Sequence, residues 1–136
     1  MALPPAILVI NDEFNLRVST AQIVHEAGYR VEMAENAEEA FKLLESQRFD
    51  LVFLDLRLLT GVEYFLLKEI QELYPKIPLL VFSPYKRLEI PCHSLAQPMV
   101  HFLVKPIDPT EILIAVQMLL MGGRRPELST IDRKAI

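Results

Sequence analysis

Five short apolar runs alternate with helix-like segments along this 136-residue chain, and this alternation is the feature that most constrains its fold. The runs lie at residues 6–10, 29–34, 51–55, 77–82 and 99–104, and the second of them alternates between apolar and polar residues. Such alternation is typical of a parallel sheet with helices packed on both of its faces. Right-handed crossovers leave few topologies open. We therefore predict an α/β protein with a doubly wound, five-stranded parallel sheet.

The segments between the runs carry helix start and stop signals. Gly28 is predicted to end the first helix, and Asn36 with Glu39 resembles a capping box that opens the second. Residues 85–98 are irregular and predict a short or broken helix. The run Asp108-Pro109-Thr110-Glu111 predicts the start of a last helix that ends near residue 121. The helix that begins near Gly61 has a predicted buried stripe of Val62, Phe65, Leu66, Ile70 and Leu73.

Polar residues stand where the apolar runs stop. Asn11 and Asp12 follow the first run, Asp55 ends the third, and Ser83 and Lys105 follow the fourth and fifth. A strand order of 2-1-3-4-5 makes the ends of strands one and three neighbours at the topological switch point, where open α/β sheets bind ligands. Clustered carboxylates repel each other, and a hard divalent cation such as Mg²⁺ relieves that cost. A lysine and a hydroxyl can bind phosphoryl oxygens, and a carboxylate can form an acyl-phosphate.

Composition narrows the function classes. The chain is 51% hydrophobic, enough for a core, yet no apolar run approaches the ~18 residues that suggest a membrane span. Cys92 is the only cysteine and the N-terminus lacks a basic signal region, so a reducing, cytoplasmic location is expected. A net charge of −4 without a long basic run disfavours direct nucleic-acid binding.

The residues at the strand ends, together with their flanking motifs, resemble the receiver domain of two-component response regulators. The resemblance covers about residues 6–121 and implies a flavodoxin- and CheY-like fold with a phosphoryl group accepted on Asp55. By the same resemblance, Asp12 and Asp55 would bind Mg²⁺ with the backbone carbonyl of Arg57, and Asn11 would act through a water molecule. The matching segments are residues 7–13, 26–29, 34–40, 49–57 and 102–106.

The remaining site residues are likewise implied by the resemblance. Ser83 matches the family's switch hydroxyl, Lys105 its phosphate-binding lysine, and Phe102 the aromatic residue that changes rotamer on activation. The bond between Lys105 and Pro106 is expected to be cis, as is usual in the family, and cis X-Pro bonds are energetically accessible.

Three departures from the family pattern bear on function. Asn11 stands where the family usually has an acid, so weaker Mg²⁺ binding is expected. The loop between Asp55 and Gly61 looks about two residues short. The region around Pro91 and Pro98 is atypical of the surface that signals phosphorylation.

These features lead to two functional hypotheses. The first is a receiver domain over residues 1–123, followed by a polar tail or linker at 124–136, which takes a phosphoryl group from a sensor histidine kinase or phosphotransfer protein and signals to a downstream protein partner. The alternative is a phosphorylation-independent pseudo-receiver that acts as an interaction module.

Whether the chain is an enzyme stays open at this point. The one activity that the resemblance implies is Mg²⁺-dependent self-phosphorylation and autodephosphorylation at Asp55, which favours a signalling protein over an enzyme. A phosphatase or a flavin carrier is disfavoured, because position 57 is Arg and the loop after strand one is acidic.

The last helix leaves one question open. Its side chains between Ile112 and Met121 are apolar except for Gln117. Such a helix is either buried on all sides or exposes an apolar face for docking, for example in a homodimer through the last strand and last helix.

Overall fold

The computed structural model describes residues 3–55, 61–83, 100–104 and 108–121, and within them it contains five strands and four helices. The strands are β1 (Ala6–Ile10), β2 (Arg30–Ala34), β3 (Leu51–Asp55), β4 (Leu79–Ser83) and β5 (Val100–Val104). The helices are α1 (Phe14–Glu26), α2 (Ala37–Ser46), α3 (Gly61–Leu73) and α4 (Pro109–Leu120). In these parts of the chain, no helix is long and apolar enough to cross a membrane.

All strand pairings are parallel, and the sheet order is β2-β1-β3-β4-β5. The doubly wound fold and the 2-1-3-4-5 order predicted from the sequence are therefore confirmed. In the register of the central pair, Ile10 lies opposite Leu54. The next residue of each strand is polar, so the register brings Asn11 and Asp55 to the same edge of the sheet.

The sheet separates two buried clusters, and all residues of β1 and β3 are buried or nearly so. On one face, α2 and α3 contribute Ala40, Leu44, Leu67 and Ile70. On the other face, α1 and α4 contribute apolar residues that include Val24 and Val116. Fully buried parallel strands need apolar side chains on both faces, which is why their sequences are continuous apolar runs.

The predicted C-terminus of α1 and the predicted N-terminus of α4 are both confirmed by their hydrogen bonds. Gly28 has φ +103°, a left-handed conformation that glycine adopts readily, and its N–H donates to the carbonyl of His25 at 3.0 Å. At the start of α4, the Asp108 carboxylate accepts from the Thr110 N–H at 2.7 Å. The Glu111 carboxylate accepts in return from the Asp108 N–H at 3.1 Å, which completes a capping box.

The α2 cap differs from the predicted box. The Asn36 side chain accepts from the Glu39 N–H at 2.8 Å, as expected of an N-cap. The Glu39 carboxylate, however, accepts from the N–H of Glu35, at 2.8 Å, and not from that of Asn36. Of the two hydrogen bonds of a capping box, only the one from the Glu39 N–H to the Asn36 side chain forms. The Glu39 carboxylate binds the N–H of the residue before the N-cap.

The predicted stripe of α3 is wrong at two positions. Phe65 and Leu73 are 73% and 58% exposed, whereas Leu67 and Ile70 are fully buried. Residues 65–67 are all apolar, so helical periodicity alone allows two adjacent stripes. Packing against the sheet selects the stripe through Leu67.

The last helix combines the two alternatives left open by its sequence. Ile112, Val116 and Leu119 are buried, whereas Ile114 and Met121 are 47% and 42% exposed. One face therefore belongs to the core, and the other leaves apolar side chains in solvent. The predicted short helix at residues 85–98 and the tail at 124–136 lie outside the described residues.

Candidate functional site

Asp55 is the last residue of β3, the central strand of the sheet. β1 and β4 pair with β3 on either side. The carboxylate therefore stands at the carboxyl edge of the sheet, next to the end of β1, and Asp55 is only 9% exposed. A nearly buried carboxylate requires polar partners, because removal of an ionised group from water costs several kcal/mol.

Asn11 supplies such a partner. Its side-chain N–H donates to Asp55 Oδ2 at 2.7 Å, and Asn11 itself is 4% exposed. The Asn11 Oδ1 atom accepts from the backbone N–H of Glu13 at 2.8 Å. Because that backbone group can only donate, the amide must direct its oxygen toward Glu13 and its N–H₂ group toward Asp55. The contact with Asp55 is a charge-assisted hydrogen bond, which is stronger than one between neutral groups.

The backbone of Asn11 is also held on both sides. Its N–H donates to the carbonyl of Ala34 in β2 at 3.1 Å. Its carbonyl accepts from the Arg17 guanidinium at 2.8 Å, and that guanidinium lies 5.5 Å from the ring centroid of Phe14. Arg17 was not among the predicted site residues. Its signal in the sequence, a basic residue at the end of the first turn of the helix after strand one, is weak.

Asp12 follows Asn11 and is exposed. Because β1 pairs with β3, Asp12 and Asp55, the two carboxylates of the predicted metal site, lie at adjacent strand ends. Their oxygen donors fit Mg²⁺, which binds through one or two carboxylates and keeps several water molecules. Within the described residues, no group of three or more His, Cys, Asp or Glu side chains is placed to hold a metal. A site with two carboxylates, water and backbone oxygens does not require such a group. Arg57, the predicted source of a backbone oxygen, lies outside the described residues.

The predicted switch residues Ser83 and Phe102 belong to β4 and β5, which lie on the other side of β3 from β1. Ser83 ends β4, the neighbour of β3, and pairs in register with Val104 at the end of β5. Phe102 lies within β5, is partly buried, and packs against the cluster beneath α2 and α3. Lys105 follows Val104 directly but lies outside the described residues. The backbone thus brings Asn11, Asp12, Asp55 and Ser83 to one edge of the sheet.

A cavity of about 500 Å³ lies at the opposite edge, where the strands begin. Pro5, Asp50 and Pro78, which precede β1, β3 and β4, contribute to its lining. Asp50 also closes this end of the sheet, because its carboxylate accepts from the Ala6 N–H at 2.8 Å. None of the residues that line this cavity is a predicted site residue.

The fold and the site define a class, namely a doubly wound α/β domain with a buried acid at its topological switch point. A family model described as the response regulator receiver domain matches residues 7–117. The chain belongs to this family, the receiver domains of two-component response regulators.

Similar proteins include both long regulators and single domains. The chain is 29% identical over 131 residues to the transcriptional regulatory protein ZraR of Klebsiella oxytoca, and the match covers 95% of this chain but 29% of that relative. A CheY-like receiver domain protein of Methanospirillum hungatei superposes with a TM-score of 0.77 at 28% identity, over 88% of this chain and 96% of that one. The response regulator TrrA of Thermotoga maritima, solved in complex with Mg²⁺ and BeF, gives a TM-score of 0.70 at 28% identity, over 85% of this chain and 98% of that one.

Proposed function

We propose that this receiver domain accepts a phosphoryl group on Asp55 and passes the signal to a protein partner. The observation that carries the proposal is the Asp55 carboxylate, 9% exposed at the carboxyl end of the central strand and beside the end of β1. Open α/β sheets bind ligands at this switch point. The similar regulator solved with Mg²⁺ and BeF supports the same chemistry here.

The proposed reaction is a phosphoryl transfer from the phosphohistidine of a sensor histidine kinase or phosphotransfer protein. A carboxylate oxygen of Asp55 forms a bond to phosphorus while the P–N bond breaks, and the electron pair of that bond stays on the imidazole nitrogen. The Lys105 ammonium and the Ser83 hydroxyl would bind the phosphoryl oxygens. Positioning and charge neutralisation account for most of the catalysis in such transfers.

Asp12, Asp55 and the Arg57 carbonyl would hold Mg²⁺, with Asn11 acting through a water molecule. When bound, the ion would neutralise charge on the phosphoryl oxygens. Asn11 contributes no charge, so this chain offers one carboxylate fewer than the usual family pattern at this edge. We therefore expect a lower Mg²⁺ affinity than in receivers with an acid at this position.

Signal output is proposed to pass through Ser83 and Phe102 to β5 and α4. Phe102 is partly buried in β5, and α4 exposes Ile114 and Met121 on the side away from the core. This partly apolar surface would bind a downstream protein or a second copy of the chain. The receiver would occupy residues 1–123, and its expected location is the cytoplasm, where its single cysteine would stay reduced.

The proposal is tested by phosphorylation with acetyl phosphate and Mg²⁺, followed by intact-mass measurement. Wild-type protein should gain one phosphoryl group, and Asp55→Asn should gain none. Asp50→Asn is the matched control, because Asp50 precedes the same strand at the opposite edge, and its amide oxygen can still accept from Ala6. Undiminished labelling of Asp55→Asn would refute the assignment. Failure of the wild type to label or to bind millimolar Mg²⁺ would favour the pseudo-receiver.

A further inference from the structure

All four polar groups of Asn11 are engaged, and each has a different partner. The backbone N–H donates to Ala34, and the backbone carbonyl accepts from Arg17. The side-chain oxygen accepts from the Glu13 N–H, and the side-chain N–H₂ group donates to Asp55. The side chain is thus fixed at both ends, with its donor directed at the Asp55 carboxylate.

An acid at position 11 could reproduce only part of this arrangement. An aspartate could still accept from the Glu13 N–H. Its second oxygen would then occupy the place of the amide nitrogen, 2.7 Å from Asp55 Oδ2. Two ionised carboxylates at that distance repel strongly in a site with little solvent access, unless a cation lies between them or one oxygen is protonated.

We propose that Asn11 is a positioning residue that holds the Asp55 carboxylate without a metal ion, and that the folded state of this receiver is consequently less dependent on Mg²⁺ than it would be with an acid at position 11. This proposal rests on the proposed function only where it treats Asp55 as the phosphoryl acceptor. The hydrogen bond between Asn11 and Asp55 is a property of the metal-free protein. Asn11 supplies by hydrogen bonding part of the compensation that a cation supplies to a cluster of acids.

The first experiment compares thermal unfolding of the metal-free protein and of the protein in about 10 mM Mg²⁺. In Asn11→Asp, the metal-free Tm should fall by about 5 °C or more, which corresponds to roughly a tenfold loss in the folding equilibrium for a domain of this size. Mg²⁺ should raise the Tm of this variant by more than it raises that of the wild type. The added carboxylate should increase the Mg²⁺ affinity of the folded state, and a ligand that binds only the folded state stabilises it.

Asn36→Asp is the matched control. It makes the same chemical change and adds the same charge, but Asn36 is exposed at the N-cap of α2, where its oxygen accepts from the Glu39 N–H. Its Tm should respond to Mg²⁺ as the wild type does. Equal responses of Asn11→Asp and Asn36→Asp, with no fall in the metal-free Tm of Asn11→Asp, would overturn the proposal.

The second experiment observes the hydrogen bond directly, and it does not depend on the stability of Asn11→Asp. The two side-chain amide protons of Asn11 should have well-separated NMR shifts in the metal-free protein, because one of them is bonded to a carboxylate. Asp55→Ala should reduce this separation while most backbone amide signals stay in place. Unchanged Asn11 side-chain signals in Asp55→Ala would contradict the assigned contact. Neither experiment uses a phosphoryl donor, so failure of this inference and failure of the proposed phosphorylation are distinguishable.

Discussion

Replacement of Leu67 by Ala is the sharpest test of how α3 packs onto the sheet. Leu67 is fully buried, in the same cluster as Leu54 and Val81. The substitution removes three carbon atoms, worth about 0.8 kcal/mol each on transfer from water. The residual cavity adds roughly another 1 kcal/mol, which gives a total loss of about 3 kcal/mol.

Phe65→Ala in the same helix is the control. Phe65 is 73% exposed, so about 0.4–0.8 kcal/mol of its hydrophobic free energy is realised by burial. The higher helix propensity of Ala returns about the same amount. We therefore expect the free energy of unfolding of Phe65→Ala to differ from that of the wild type by less than about 0.5 kcal/mol.

The assay is urea unfolding followed by far-ultraviolet circular dichroism. With a denaturant dependence of about 2 kcal/mol per molar, Leu67→Ala should shift the midpoint down by roughly 1.5 M, and Phe65→Ala should leave it almost unchanged. The reasoning would be refuted by a loss below about 1 kcal/mol in Leu67→Ala, or by a larger loss in Phe65→Ala than in Leu67→Ala. The second result would mean that the helix presents the stripe through Phe65 to the sheet.

Two further predictions concern the ends of helices, and both are measured by the same unfolding assay. Asp108→Ala should cost about 1 kcal/mol, because the Thr110 N–H loses its acceptor, whereas Asp108→Asn should retain most of that stability; equal losses in the two variants would argue against the cap. Gly28→Ala should cost roughly 1 kcal/mol, although an added Cβ atom would meet nothing within 4 Å, because φ is +103° there. A Gly28→Ala variant as stable as the wild type would show that the α1 terminus can adopt another conformation.

The central strands β1, β3 and β4 could be predicted from the sequence because their described side chains are buried. Such strands must be continuously apolar, and the polar residues after them mark the carboxyl edge. The order 2-1-3-4-5 is one of the few that right-handed crossovers allow, and it brings the ends of β1 and β3 together. Strand burial depends on residue type, which is read directly from the sequence.

Some contacts could not be predicted because two adjacent residues or groups could each have made them. In α3, residues 65–67 are all apolar, and only packing distinguishes the buried Leu67 from the exposed Phe65. Glu39 could reach either of two adjacent amides, and it accepts from that of Glu35. The direct bond from Asn11 to Asp55 depends on which way an amide points, and the Glu13 N–H determines that choice.

The position of Asp55 on β3 has a mechanical consequence. β3 is bonded to a strand on each side and covered by a buried cluster on each face, so we expect it to be among the stiffest of the described elements. A charge added at the end of such a strand cannot be accommodated by bending its support. If Asp55 accepts a phosphoryl group as proposed, we expect the carboxylate to stay in place and the groups around it to move toward the added charge.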